Sequence, residues 1–218
     1  MSKSWLAIIS QLRHMPYFTL ASIMQILDRD GDHAKQVVAR LVASGDLIRL
    51  KRGIYMTREF WLGNKSSGEL VDMVACVVVP NSYLSTEYVL QKHAVMTEAV
   101  YAVTAITSGK PRIIKNDLGG FIYRHIKSDL LAGFESRNCW GIKVHEASAP
   151  KALFDYLYLR RHGWAYGAKN YDLAEDLRLN LYDWDQSKKD EFAHWVEMSK
   201  SHKMKTALDN LRRHVWTS

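Results

Sequence analysis

Apolar positions along the first sixty residues recur with the period of a helix and then with that of a strand. Asp32–Ser44 places Ala34, Val37, Val38, Leu41 and Val42 on one face. That is the i, i+3, i+4, i+7, i+8 spacing of a helix lying on a core. The opposite face carries His33, Gln36, Ala39 and Arg40, with Lys35 on the flank. Gly45 ends the helix. Two short runs follow, Leu47-Ile48-Arg49-Leu50-Lys51 and Gly53-Ile54-Tyr55-Met56, joined by the basic turn Lys51-Arg52-Gly53. Upstream, Ser4–His14 is amphipathic and is ended by Met15-Pro16. Thr19 is placed to cap a second helix, Leu20–Leu27, and Asp32 to cap the third. The turn Asp28-Arg29-Asp30-Gly31-Asp32 is no calcium loop. Its glycine is misplaced, and Ala39 stands where the bidentate glutamate belongs.

Gly63-Asn64-Lys65-Ser66-Ser67-Gly68 interrupts the pattern and reads as a linker. Beyond it, Glu69–Cys76 is helical by period and Val77–Pro80 is a short apolar run. Ser85 is placed to cap a helix over Thr86–Ala94. Strand-like runs follow at Val100–Thr107, Arg112–Lys115, Gly120–Ile126 and Cys139–His145, the second and third joined by a turn at 116–120. Helical periods close the chain at Pro150–His162, Tyr171–Leu181, Ser187–Lys200 and Lys203–Trp216. The expected fold is α+β: a winged helix-turn-helix domain over residues 1–62, then a mixed α/β domain over 69–218 with an antiparallel sheet and C-terminal helices.

Charge sharpens this picture. The 218-residue chain carries a formal +7, and residues 1–60, with nine Lys/Arg against five Asp/Glu, hold +4 of it. The excess sits on the unit whose polar helix face and basic hairpin suit a major-groove reader with a phosphate-gripping wing. Gln36 and Arg40 are the residue types that pair bidentately with base edges. Arg49, Lys51, Arg52 and Arg58 are placed for phosphates. A winged helix that meets a protein instead of DNA is the alternative. A second, weaker polyanion surface is Tyr123, His125 and Lys127, with Arg112 and Lys115.

Catalytic signals are thin. Asp117, Glu135, Glu146 and Asp155, with His125 and His145, are the acidic and histidine candidates of the second domain for a nuclease-like enzyme. Asp117 reads as a turn residue. Asp155 follows Lys151 at the ion-pair spacing i+4. Glu146 and His145 are neighbours on one strand and so point to opposite faces. No phosphate loop and no zinc spacing occurs, so no cofactor or metal is expected. Cys76 and Cys139 read as buried free thiols, which suits a cytoplasmic location. No apolar run is long enough to span a bilayer.

Four passages resemble the AbiEi-type antitoxins of type IV, abortive-infection toxin–antitoxin systems. They are GDLIRLKRGIYM, PNSYLSTEYVLQKHAVMTEAVYAVTAIT, GGFIYRHIKSDLLAGF and EASAPKALFDYLYL, and together they cover roughly residues 15–160. The resemblance implies an N-terminal winged helix that binds double-stranded promoter DNA and represses its own operon. It also implies a C-terminal domain that neutralises a nucleotidyltransferase-like toxin without a stable complex. Carried over as DNA-binding are Lys35, Gln36, Arg40, Arg49, Lys51 and Arg52. Lys151 and Asp155 fall in a family helix and are expected to be structural. Family members often have glycine after the histidine of the short helix, where this chain has Ala94 after His93.

Overall fold

The structure, a computed structural model, describes residues 9–28, 31–161 and 171–217. The start of the expected first helix and the turn residues Arg29 and Asp30 fall outside them. From Ile9 that helix runs to Leu12. There follow β1 (Phe18–Thr19), α1 (Leu20–Leu27), α2 (Gly31–Ala43), β2 (Leu47–Lys51) and β3 (Ile54–Thr57). Thr19 caps α1 as expected, in a reciprocal pair with Ser22. Asp32 lies inside α2 and not at its cap. It meets the Lys35 ammonium at 2.8 Å, an exposed i, i+3 pair. The three strands form an antiparallel sheet in the order β1-β3-β2.

The hairpin β2–β3 is buried on both faces. Leu47 and Tyr55 join Leu12, Phe18, Ile23, Ala34, Val37, Val38 and Leu41 in a small core. Ile48, Leu50 and Met56 belong to the large core of the rest of the chain. Strand alternation sends successive residues to opposite sides, so the apolar run Leu47-Ile48 serves two cores at once. The expected linker shrinks accordingly. Gly63 and Asn64 end α3 (Arg58–Asn64), Gly68 begins α4 (Gly68–Val78), and three residues join them. Phe60 of α3 packs into the large core as well.

That core lies on a second sheet. Its strands are β4 (Ser82–Leu84), β5 (Ala102–Thr107), β6 (Arg112–Asn116), β7 (Gly119–His125), β8 (Phe134–Cys139) and β9 (Ile142–Ala147), with α5 (Thr86–Lys92) between β4 and β5. The order is β6-β7-β5-β4-β9-β8. The sheet is mixed, not antiparallel: β5–β7 and β4–β9 run parallel. Connectivity explains the first pair. The chain passes one slot to lay down β6, and β7 returns into that slot alongside β5.

Two strands escaped the pattern reading. β4 is only three residues long. β8 is polar because it is the sheet's edge, with no apolar alternation to reveal it. Cys139–His145 is therefore two strands joined by Trp140-Gly141, whose φ values of 51° and 81° mark a type I′ turn. Val77 and Val78 extend α4 and form no strand. The chain closes with α6 (Ala149–Leu159), α7 (Leu173–Asp176), α8 (Gln186–Ser199) and α9 (His202–His214). The helix expected over Tyr171–Leu181 is cut to the four residues of α7, and Arg178 turns left-handed behind it. Among the described residues, no helix is long and apolar enough to cross a membrane.

Candidate functional site

The polar face of α2 is built by its apolar one. Ala34, Val37, Val38 and Leu41 are buried, which turns His33, Lys35, Gln36, Ala39 and Arg40 to solvent. On the adjoining hairpin Arg49 and Arg52 are exposed. Lys51 is not. A bulge between Arg49 and Lys51 breaks the alternation that would have aligned the two. The Lys51 ammonium donates to the Val78 carbonyl at 2.6 Å, at the end of α4. Burial, and secondarily the Arg112 charge, lower its pKa below the usual lysine range. Arg58 is exposed, yet its guanidinium donates to the Gly45 carbonyl behind α2 and lies 5.7 Å from the Trp61 ring. Five of the six residues assigned to DNA are thus exposed, and Lys51 is committed inward.

The second surface considered from sequence loses Tyr123. Tyr123 is buried and donates to the Ala75 carbonyl at 2.8 Å, while His125, Lys127, Arg112 and Lys115 are exposed. Asp117 is an exposed turn residue.

Lys151 and Asp155 meet at 2.5 Å, the i, i+4 pair expected, but with both side chains fully buried. The Asp155 carboxylate also accepts from Tyr83 Oη at 2.8 Å and Ser85 Oγ at 2.7 Å. Lys151 also donates to the Leu130 carbonyl at 3.0 Å, and its ammonium lies 4.8 Å from the Trp195 ring centre. Desolvation pushes the Asp155 pKa up and the Lys151 pKa down, each opposed by its partner's charge. Ser85 makes no side-chain cap bond to α5; its hydroxyl donates to Asp155 instead. Tyr83 and Ser85 come from one of the four quoted passages, and Lys151 and Asp155 from another. The cluster ties β4 to α6.

A charged cleft of about 760 Å³ opens along β8, with α4 on one side and the starts of α6 and α8 on another. Asp72 is buried in its wall and accepts from Tyr88 Oη at 2.6 Å, from Lys92 Nζ at 3.1 Å and from Arg137. Glu146 shares those cations, at 2.6 Å from Lys92 and 3.4 Å from Arg137. Asp72, the centre of this network, was missed in the sequence. It sits among the apolar residues of α4, and a lone acid inside an apolar run was the only available signal. Glu146 and Glu135 are the two sequence candidates that reach the cleft. On the opposite face of β9, His145 meets Ser136 Oγ through Nδ1 at 2.7 Å. Two carboxylates and a lysine do converge here, but the carboxylates are neutralised by Lys92 and Arg137. Among the described residues no group of three or more His, Cys, Asp or Glu is placed to hold a metal ion.

No protein-family model matches this sequence, and no curated protein matches it.

Proposed function

We propose that this chain is a cytoplasmic DNA-binding autorepressor and antitoxin of the type IV class, and not an enzyme. Its N-terminal unit acts as a winged helix: α2 enters the major groove and the β2–β3 hairpin grips the flanking backbone. The observation that carries the reading is the shared exposure of Gln36 and Arg40 on α2 with Arg49 and Arg52 on the hairpin. Lys35 adds charge at the flank. Lys51 is left out, because Val78 holds it. The antitoxin half rests on the resemblance. Two further features fit it. The Tyr83-Ser85 and Lys151-Asp155 passages interlock, as paired family motifs would. Ala94 has a φ of 55°, the conformation that a glycine there would take at no cost.

Gel-shift titrations on the promoter of its own operon test the DNA half. Arg40→Ala should weaken binding by about 1–3 kcal/mol and relax one base preference. Arg52→Ala should weaken all duplexes about equally and reduce the salt slope by about one unit. Wild-type binding by both variants would refute this face as the reader. Co-expression with a nucleotidyltransferase-like toxin, should one be encoded beside it, tests the other half. A folded chain altered at Asp72 and Glu146 that still rescues growth counts against an enzyme. Loss of rescue with intact promoter binding would favour one.

A further inference from the structure

β8, whose Glu135, Ser136 and Arg137 line one side of the charged cleft, is an edge strand of its sheet among the described residues. β8 pairs with β9 on one side, and among the described residues no other strand follows it in the sheet. The hydrogen-bonding phase of that edge can be deduced. The two-residue I′ turn makes Cys139–Ile142 the closing pair, so the ladder bonds to β9 fall on Cys139, Arg137 and Glu135. Ser148 N donates to the Gly133 carbonyl at 3.4 Å, which continues the same phase. The N–H and C=O groups of Phe134, Ser136 and Asn138 therefore point away from β9, toward the open side. All three residues are exposed. β8 carries no proline, and its register with β9 is unbroken over six pairs, so nothing twists this edge out of reach.

We infer that β8 is a strand-addition site, which takes an extended segment of a partner protein bearing lysine or arginine at alternate positions. Main-chain bonds to Phe134, Ser136 and Asn138 supply the attachment. Charge supplies the selectivity. In a chain of formal charge +7, this cleft has five carboxylates against three Lys or Arg. Asp72 and Glu146 are neutralised internally and Glu69, on the α4 wall, lies 3.7 Å from Arg137, which leaves Glu135 as the exposed carboxylate on β8 itself. Alternate side chains of an added strand fall on the face that Glu135 shares with that wall. This surface is separate from α2 and the hairpin, so it stands whatever the promoter experiments return.

The test uses the full-length protein and a fluorescent peptide of four Lys-Val repeats, with a Glu-Val peptide as control. Saturable anisotropy with the lysine peptide only, together with slowed hydrogen exchange at the amides of Phe134, Ser136 and Asn138, is expected. Ser136→Pro removes one outward N–H and leaves the β9 ladder intact. It should weaken the lysine peptide about three- to tenfold, whereas Ser136→Ala, which loses the same side-chain bond to His145 but keeps the N–H, should bind it like wild type. Glu135→Lys, a surface change that tests charge apart from backbone, should weaken it at least as much as Ser136→Pro. Equal binding of both peptides, no slowed exchange at those amides, or wild-type affinity in both Ser136→Pro and Glu135→Lys would overturn the site. So would a concentration-dependent dimer that Ser136→Pro abolishes, because the occupant would then be a second copy of this chain.

Discussion

The N-terminal unit and the larger one that follows use the same side chains in opposite ways. On α2 and the hairpin, Arg40, Arg49 and Arg52 face solvent. In the larger unit Arg137 and Lys92 are held by Asp72 and Glu146, and Lys151 is sealed beside Asp155. Residue type says nothing of this difference. It follows from what each charge meets once the chain is folded. An exposed cation keeps its charge available to a polyanion. A buried one is consumed by satisfying a partner that would otherwise be costly to bury. The contrast divides the molecule into a unit whose cations face outward and a scaffold whose cations are held inward, with the cleft along β8 between scaffold and solvent.

The hairpin belongs to both, and cutting it out is the strongest way to break the comparison. A fragment of residues 1–64 exposes Ile48, Leu50, Met56 and Phe60, which the large core covers in the whole chain. At about 1.5–3 kcal/mol for each large apolar side chain, that loss exceeds what so small a core can bear. The fragment should show no cooperative thermal transition by circular dichroism. A sharp transition would mean that the two units are energetically independent.

The buried pair gives the next largest effect. Lys151→Ala or Asp155→Ala leaves one charge unpaired at full burial and should cost about 3–5 kcal/mol in urea unfolding. Lys151→Met with Asp155→Leu should recover most of that loss. Additive losses in the double variant would show that the pair is not the cause. In the N-terminal unit, by contrast, Arg49→Ala should change stability by no more than about 0.5 kcal/mol.

A smaller effect comes from the end of α5. His93 N donates to the Val89 carbonyl within the helix, Ala94 N to the Gln91 carbonyl and Val95 N to the Leu90 carbonyl, the Schellman pattern, with Ala94 at φ 55°. An alanine there carries about 1 kcal/mol of left-handed strain. Ala94→Gly should raise stability by up to that amount, and a lowered melting temperature would contradict the assigned backbone.

The mildest test leaves the fold untouched. Burial pushes the Cys76 thiol up to about 11. At pH 8 only about one in a thousand of these thiols is the reactive thiolate, so native protein should resist iodoacetamide at Cys76 until denatured. Rapid native labelling would place that thiol in solvent.

Much of the N-terminal unit was legible because its elements are local. One apolar face per helix, a cap at Thr19 and a glycine after α2 define it without long-range contacts. By itself the sequence determined the helix faces, the α+β class and the exposed positions of Gln36, Arg40, Arg49 and Arg52. It also determined the spacing that pairs Lys151 with Asp155. Only the tertiary structure decided the rest. A bulge turned Lys51 inward, the parallel strand pairs made the sheet mixed, and a polar stretch became the edge strand β8. Asp72, Lys92, Arg137 and Glu146 lie far apart along the chain and met only when the sheet and α4 closed on one another. Periodicity reports which way a side chain leaves its own element. What it meets there is set by burial across the whole chain, where an uncompensated charge costs more than any local preference returns.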